Sequence, residues 1–424
     1  MEEPSFQTIP YKKVPAVVLE KNWLICGRCG TRNRKKNCRL TENLYYCTHC
    51  LFLGRCDSSQ QLFLFCQPSL PKRPVAFAWT GQLTFLQKTI SDAIVNSPAK
   101  LHHLIWAVTG AGKTEMLYEI VMKTLKMGGR VVLSSPRVDV CNELFLRFDK
   151  VFPEENILLL HGKTKLPYRF SPFVICTTHQ LYRFYQAFDL VVIDEVDAFP
   201  YADDQGLSFA VQTAIKPTGR FIYLSATPAE RLLKEIRMAF QIHRLPLRFH
   251  QRLLPEPKLF FWNAWQKKCL SEKKVRPLIR KLEQLLAQNH VLLFCPSIEI
   301  MERLTRLLME KMPDYRIANA SARDPDRIAK VAKMREKKYD ILLTTMILER
   351  GVTFEKVSVV VLGADHRVFT KSPLVQIAGR ADRKGAFSNS EVYFFYEEKT
   401  TAIIQACREI KEMNKQGKRL RGQK

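Results

Sequence analysis

Acidic residues are scarce in this chain. Only 41 Asp and Glu stand against 67 Lys and Arg, which leaves a formal net charge of +26 over 424 residues. Such a balance argues against cationic partners and points to polyanions, nucleic acid first and an anionic membrane surface second. A solvated basic face without a partner is the plainer alternative. Long apolar runs are missing as well, since none approaches the roughly 18–20 residues that a membrane-spanning helix requires. The N-terminal stretch MEEPSFQTIPYKK has no positive segment followed by an apolar core, so no secretory signal is expected. A cytosolic chain follows, and there the twelve cysteines are expected as thiols or metal ligands rather than disulfides. Repeats are lacking, and only the tail NKQGKRLRGQK reads as disordered.

What is present is ordinary globular material, 46% hydrophobic and 25% charged. The length exceeds one compact core, so two or three domains are expected. From about residue 80, short apolar runs alternate with amphipathic stretches: HLIWAV (103–108), RVVLSS (130–135), FVICTT (173–178), LVVIDE (190–195) and RFIYLSAT (220–227). Continuous apolarity is the mark of strands buried on both faces, and strand–helix alternation implies a parallel sheet. The pattern breaks at HRLPLRFHQRLLPEPK (243–258), read as a linker. It restarts with HVLLFCPS, RIANAS, YDILLTT, VSVVVLG and EVYFFY between 290 and 396. The expected class is therefore α/β, with a small N-terminal region (1–78) before two tandem parallel-sheet lobes (79–245 and 246–424). Cys141, Cys176 and Cys295 lie in apolar runs and read as core. Trp262 and Trp265 could stack on bases but are expected in the core.

AVTGAGKT (107–114) has the spacing of a phosphate loop, with Ala107 where a glycine often stands. Gly110, Ala111 and Gly112 let backbone N–H groups turn toward phosphates. Lys113 can reach the β/γ oxygens, and Thr114 can hold magnesium. LVVIDEVD then places Asp194 and Glu195 at the end of a buried strand, where ligand sites of parallel sheets lie. Asp194 suits magnesium and Glu195 the attacking water. Two adjacent carboxylates after an apolar run are costly as structure alone. ATP hydrolysis with Mg2+ is the expectation.

Cys26, Cys29, Cys47 and Cys50 give C-x2-C-x17-C-x2-C, a spacing of four-cysteine Zn2+ sites. Gly27 and Gly30 suit its tight turns. Cys38 and His49 are rival ligands with poorer spacing, and Cys56 and Cys66 read as spares. The insert between the pairs carries Arg32, Arg34, Lys35, Lys36 and Arg39, with Tyr45 and Tyr46 behind it. Cations beside aromatic rings suit phosphate contact and base stacking. The alternative is a metal that only props up a small domain, with solvated charges around it.

In order along residues 80–385, the boxes resemble those of superfamily 2 helicases and translocases. The resemblance implies that Gln87 of LTFLQ reads adenine, that Arg137 of SSPR and Thr178 of TTHQL touch the nucleic-acid backbone, and that Ser225 and Thr227 of SAT couple hydrolysis to movement. In the second lobe TTMILERGVTF, with Gly351, is similar to the fifth motif. QIAGRADR is similar to the sixth, with Gln376 as a coupling residue and Arg380 and Arg383 as arginine fingers. Two lobes that close on ATP require positive charge from the second toward the γ-phosphate. Many relatives show Val-Gly where GRADR has Ala-Asp, and RNA helicases of the DEAD type commonly carry aspartate at the position of Thr353.

The N-terminal ribbon combined with TTHQLYRF, LVVIDEVDAFPY, ILERGVTF and VQIAGRADRKG closely resembles the ComFA family of competence ATPases, over about residues 20–400. That resemblance implies two RecA-like lobes behind a zinc ribbon and a DNA-stimulated ATPase that helps draw single-stranded DNA into the cytosol. It also implies competence partners, namely a ComFC-type protein and the membrane DNA channel, with peripheral association at the inner face of the membrane and a homo-oligomer as a further possibility. The open alternatives are a restart-type or RNA helicase, and a DNA-binding scaffold that uses ATP only as a switch.

Overall fold

The computed structural model describes residues 10–65, 67, 70–162, 164, 168–349, 354–381 and 389–422. They fall into two compact units: 1–106 with 113–243, and 107–112 with 244–424. The N-terminal region is therefore part of the first unit by its packing.

Five short strands build that region: β1 (Tyr11–Pro15), β2 (Val17–Glu20), β3 (Trp23–Cys26), β4 (Arg32–Arg34) and β5 (Gln61–Phe65). β2, β3 and β4 form an antiparallel sheet, and β1 pairs antiparallel with β5. These strands are too short and exposed to supply much core. Ala16, Val17 and Leu24 with six buried cysteines join the apolar cluster of the first unit instead, beside Leu181, Tyr182 and Leu207.

Next come α1 (Phe85–Asn96), β6 (His102–Ala107), α2 (Tyr118–Lys126), β7 (Val131–Ser135), α3 (Val138–Val151), β8 (Leu158–Leu160) and β9 (Phe173–Thr177). They are followed by β10 (Phe188–Ile193), α4 (Gln205–Ala214), β11 (Ile215–Ser225), α5 (Glu230–Ile236) and β12 (Phe240–Leu245). The sheet order is β12-β6-β11-β10-β7-β9-β8, and the strands from β6 to β8 pair in parallel. Val131, Val191 and Ile222 are fully buried, which is why these runs carry no polar alternation.

The second unit contains β13 (Lys258–Phe261), α6 (Trp265–Lys268), α7 (Arg276–Leu286), β14 (His290–Phe294), α8 (Ile298–Lys311), β15 (Ile317–Ala320) and α9 (Arg327–Arg335). It ends with β16 (Ile341–Thr344), β17 (Val357–Leu362), α10 (Lys371–Ala378), β18 (Val392–Tyr396) and α11 (Thr401–Gly422). Six parallel strands lie in the order β13-β18-β17-β14-β16-β15. Trp262 and Trp265 are buried in its apolar cluster, as core residues rather than stacking platforms.

Three features depart from the sequence reading. β8 is only three residues long, β12 begins before the supposed linker, and β13 closes it; none offers a run long enough to stand out. Within that linker Arg248 is buried. The basic tail is helical through Gly422, because α11 buries Ile403, Ala406, Ile410, Met413, Asn414 and Gly417 along one stripe. Asn414 Oδ1 accepts from the Leu254 N–H at 2.9 Å, and its Nδ2 donates to Leu254 O at 2.9 Å. A polar anchor of this kind is invisible to an apolar count.

Candidate nucleotide site and cysteine cluster

After β6 the chain turns through residues 108–114. Gly110 and Gly112 take φ of 81° and 72°, the left-handed region where a side chain would be strained. The Ala111 N–H donates to Val108 O at 3.1 Å and closes the turn. Residues 107–112 pack with the second unit, where the Phe249 N–H donates to Gly110 O at 2.9 Å. Lys113 and Thr114, both half-buried, lead into a 3-10 turn (Glu115–Leu117) and α2. A glycine-turned loop running into a helix start, with a lysine and a hydroxyl, fits a nucleotide phosphate and its magnesium.

β10 delivers the carboxylates. The Asp194 N–H donates to Ser134 O at 2.7 Å, and Asp194 Oδ1 accepts the Glu195 N–H at 2.9 Å. Glu195 itself sits at φ 55°, a left-handed conformation for a non-glycine residue that marks a position held by its surroundings. Two residues on, Asp197 ties two strands together. Its Oδ1 accepts from Ser225 Oγ at 2.6 Å and its Oδ2 from Thr227 Oγ1 at 2.8 Å, while the Thr227 N–H donates to Ser225 Oγ at 3.0 Å. Ser225 and Thr227 are brought together as their sequence placement suggests, but Asp197 was missed. Its signal was the last letter of DEVD.

The nucleic-acid expectations divide. Thr178 is fully buried, and its hydroxyl accepts from Ser134 Oγ at 3.1 Å. The side chain therefore ties the end of β7 to the residue that follows β9. Arg137 is largely covered and lies 3.5 Å from Asp139. Gln87 is buried, its Oε1 accepting from the Thr84 N–H at 2.8 Å and from Thr84 Oγ1 at 3.0 Å in a capping box that starts α1.

In the second unit Arg380 is only 1% exposed, and its Nε donates to Glu349 O at 2.9 Å. Gln376 is buried on α10. Arg248, absent from the sequence reading, clasps this segment: Nη1 donates to Ala381 O at 2.8 Å and Nη2 to Gly379 O at 3.1 Å. Gly351 and Arg383 lie outside the described residues.

The cysteines converge. Sγ atoms of Cys26, Cys29, Cys47 and Cys50 all lie within 4.8 Å of one another, and all four residues are buried. Arg28 donates from Nε and Nη2 to Cys50 Sγ at 3.3 and 3.1 Å, and Thr31 Oγ1 lies 2.9 Å from Cys29 Sγ. Hydrogen bonding from Cys26 and Cys29 holds the Cys47 thiol below its ordinary value. Four clustered sulfurs with donors around them suit one soft divalent cation, and zinc fits. His49 pairs with Asp204 at 3.1 Å instead. Cys56, read as a spare, places its Sγ 3.7 Å from that of Cys26 and donates to Ala16 O. Of the insert's cations, Arg32 and Arg34 lie over Trp23 at 4.6 and 6.0 Å and Lys35 over Tyr45 at 4.7 Å, and Arg32, Arg34 and Lys36 are exposed.

Residues 84–236 match the DEAD/DEAH box helicase family and residues 273–385 the helicase conserved C-terminal domain. The chain is 40% identical to "Competence protein ComFA" of Streptococcus pneumoniae over 96% of its length and 94% of the relative. It is 38% identical to the protein of that name from Bacillus subtilis, over 94% of this chain and 87% of the relative. "Replication restart protein PriA" of Rickettsia felis is 23% identical over 66% of this chain and 57% of its own. Among solved structures, S. cerevisiae Dbp5 bound to RNA and ADP BeF3 superposes with TM-score 0.59 at 15% identity, covering 80% of this chain and 94% of the other. That likeness shows the fold, two RecA-like lobes. Among the described residues no helix is long and apolar enough to cross a membrane.

Proposed function

The chain belongs to the ComFA family of competence proteins and is a superfamily 2 ATP-hydrolysing, helicase-like enzyme, and from that premise we propose that it moves along single-stranded DNA to help import transforming DNA into the cytosol. One observation carries the reading: Asp197 grips Ser225 and Thr227 at 2.6 and 2.8 Å. That carboxylate is two residues from Glu195, which gives a change at the hydrolytic carboxylates a short path to the end of β11.

In this account Lys113 binds the phosphates, Thr114 and Asp194 hold magnesium, and Glu195 orients the attacking water and takes its proton. Magnesium held by Thr114 and Asp194 would supply charge neutralisation at the phosphates. Gln87 selects adenine, Arg380 and Arg383 offer counter-charge to the γ-phosphate, and Gln376 and Gly351 take part in the coupling. Zinc on Cys26, Cys29, Cys47 and Cys50 would supply folding energy to a region with little core of its own. Arg34, Lys35, Lys36 and Arg137 contact the strand's phosphates. A ComFC-type protein, the membrane channel and further copies of this chain are its partners, at the inner face of the membrane.

The test is steady-state ATP turnover by the full chain, alone and with single-stranded DNA, duplex DNA or RNA, with Lys113→Ala as the blank. Turnover rising with single-stranded DNA and vanishing in the blank is expected. Turnover indifferent to every nucleic acid supports the scaffold instead, and stimulation by RNA alone supports an RNA helicase.

A further inference from the structure

The second sheet ends in an unfinished edge. β13 pairs with β18 on one side, and among the described residues no strand pairs on the other. The Trp262 N–H donates to Tyr396 O at 2.7 Å, so by alternation the backbone groups of Phe260 and Trp262 face β18. Those of Leu259 and Phe261 face outward. An N–H and a C=O at each of two positions form a template for another backbone.

Beside this edge lies an apolar shelf. Phe260 and Trp262 pack inward against Phe395. Leu259 and Phe261 point to the opposite face and remain 37% and 62% exposed. α11 meets Leu259 with Ile404, 49% exposed, and the half-buried Cys407. Between β13 and α11 runs a groove of about 380 Å³ whose rim carries Lys399, Arg408, Lys411 and Lys415. The only acid in its lining, Glu412, is paired with Arg408 at 3.0 Å. Glu256 is close to Cys407 and accepts from Asn414 Nδ2. The groove thus joins open backbone, an aliphatic floor and unbalanced positive charge.

We propose that the β13 edge receives an extended acidic peptide of a partner protein as a seventh strand, with one aliphatic side chain in the groove and its carboxylates on the lysine rim. Nucleic acid fits less well, because phosphodiesters offer no N–H donors for the outward carbonyls of Leu259 and Phe261, and the floor is mainly aliphatic. Charge complementarity selects the peptide's sign; the open edge selects its extended form.

A fluorescein-labelled octapeptide of alternating acidic and aliphatic residues (Glu-Val-Asp-Leu twice) is titrated against the full chain, with anisotropy and backbone hydrogen exchange as readouts. The expected result is saturable binding with slowed exchange at Leu259 and Phe261. Affinity falls about tenfold or more with Lys411→Glu combined with Lys415→Glu, and likewise with Phe261→Pro, which removes an outward N–H together with the ring but no bond to β18. A peptide with lysine in place of each acid binds at least about tenfold more weakly. ATP turnover stays unchanged in these variants, none of which touches the nucleotide machinery. Absence of peptide binding, or binding that neither variant weakens, overturns the proposal. So does a groove whose variants weaken an oligo-dT or phosphatidylglycerol vesicles while leaving the peptide untouched.

Discussion

The two sheets share a plan but spend their buried polar groups differently. The first is laced at its strand ends: Ser134 to Thr178, Asp194 to Ser134, and Asp197 to Ser225 and Thr227. In the second, β14 and β17 contribute fully buried Val291, Leu292, Leu293, Val359 and Val360, and among the described residues the strand hydroxyls meet backbone groups: Ser358 Oγ accepts from the Glu391 N–H and Thr344 Oγ1 donates to Ala320 O. Polar groups at buried strand ends are costly unless paired, and once paired they fix one geometry. The contrast teaches where each unit fixes its geometry: the first through paired polar groups at its strand ends, the second through apolar packing.

Breaking each sheet where it is most distinctive sharpens that contrast. Glu195→Gln should lower kcat by about 10^2–10^4-fold while leaving nucleotide binding and folding intact, as read by turnover and equilibrium binding. Leu293→Ala should act in the opposite manner, costing about 2–5 kcal/mol in a denaturant titration while the surviving folded protein keeps its turnover. If Leu293→Ala instead damaged chemistry without loss of stability, the division between the sheets would fail.

Acid should separate the units more gently. Burial, with His243 at 3.0 Å, pushes His103 of β6 down to about 3. Unfolded chain takes that proton near the ordinary value of about 6.5, so the fold loses stability as pH falls from about 6.5 toward 3 and gains it back as pH rises. Calorimetry should show the first unit melting earlier at pH 5 than at pH 7, and His103→Asn should flatten that slope. The smallest effect is expected at the knuckle. Lys35→Ala with Lys36→Ala should weaken single-stranded DNA binding mainly at low salt and reduce the salt slope by about 0.7 per lost contact. Unchanged slopes would mean that these cations are merely solvated.

Much of this was legible in the sequence because deep burial and rare spacing both leave marks. The apolar runs became strands, the phosphate loop turned at Gly110 and Gly112, and the four cysteines met. What escaped depends on contacts between distant residues. Asp197 is an ordinary acid until β11 lies beside β10. Arg248 looked like linker charge and instead clasps the carbonyls of Gly379 and Ala381. The bond from Ser134 Oγ to the Thr178 hydroxyl likewise exists only once β7 lies beside β9. The tail looked disordered because its docking rests on Asn414 and Gly417, residues that no hydrophobic pattern counts.

The most direct test of the account is ATP-driven displacement of streptavidin from the end of a biotinylated single strand, by the wild-type chain and by Asp197→Asn. Displacement by the wild type, lost in Asp197→Asn while that variant still hydrolyses ATP and binds DNA, is the result predicted. Equal displacement by both proteins, or none by the wild type despite DNA-stimulated hydrolysis, would contradict it.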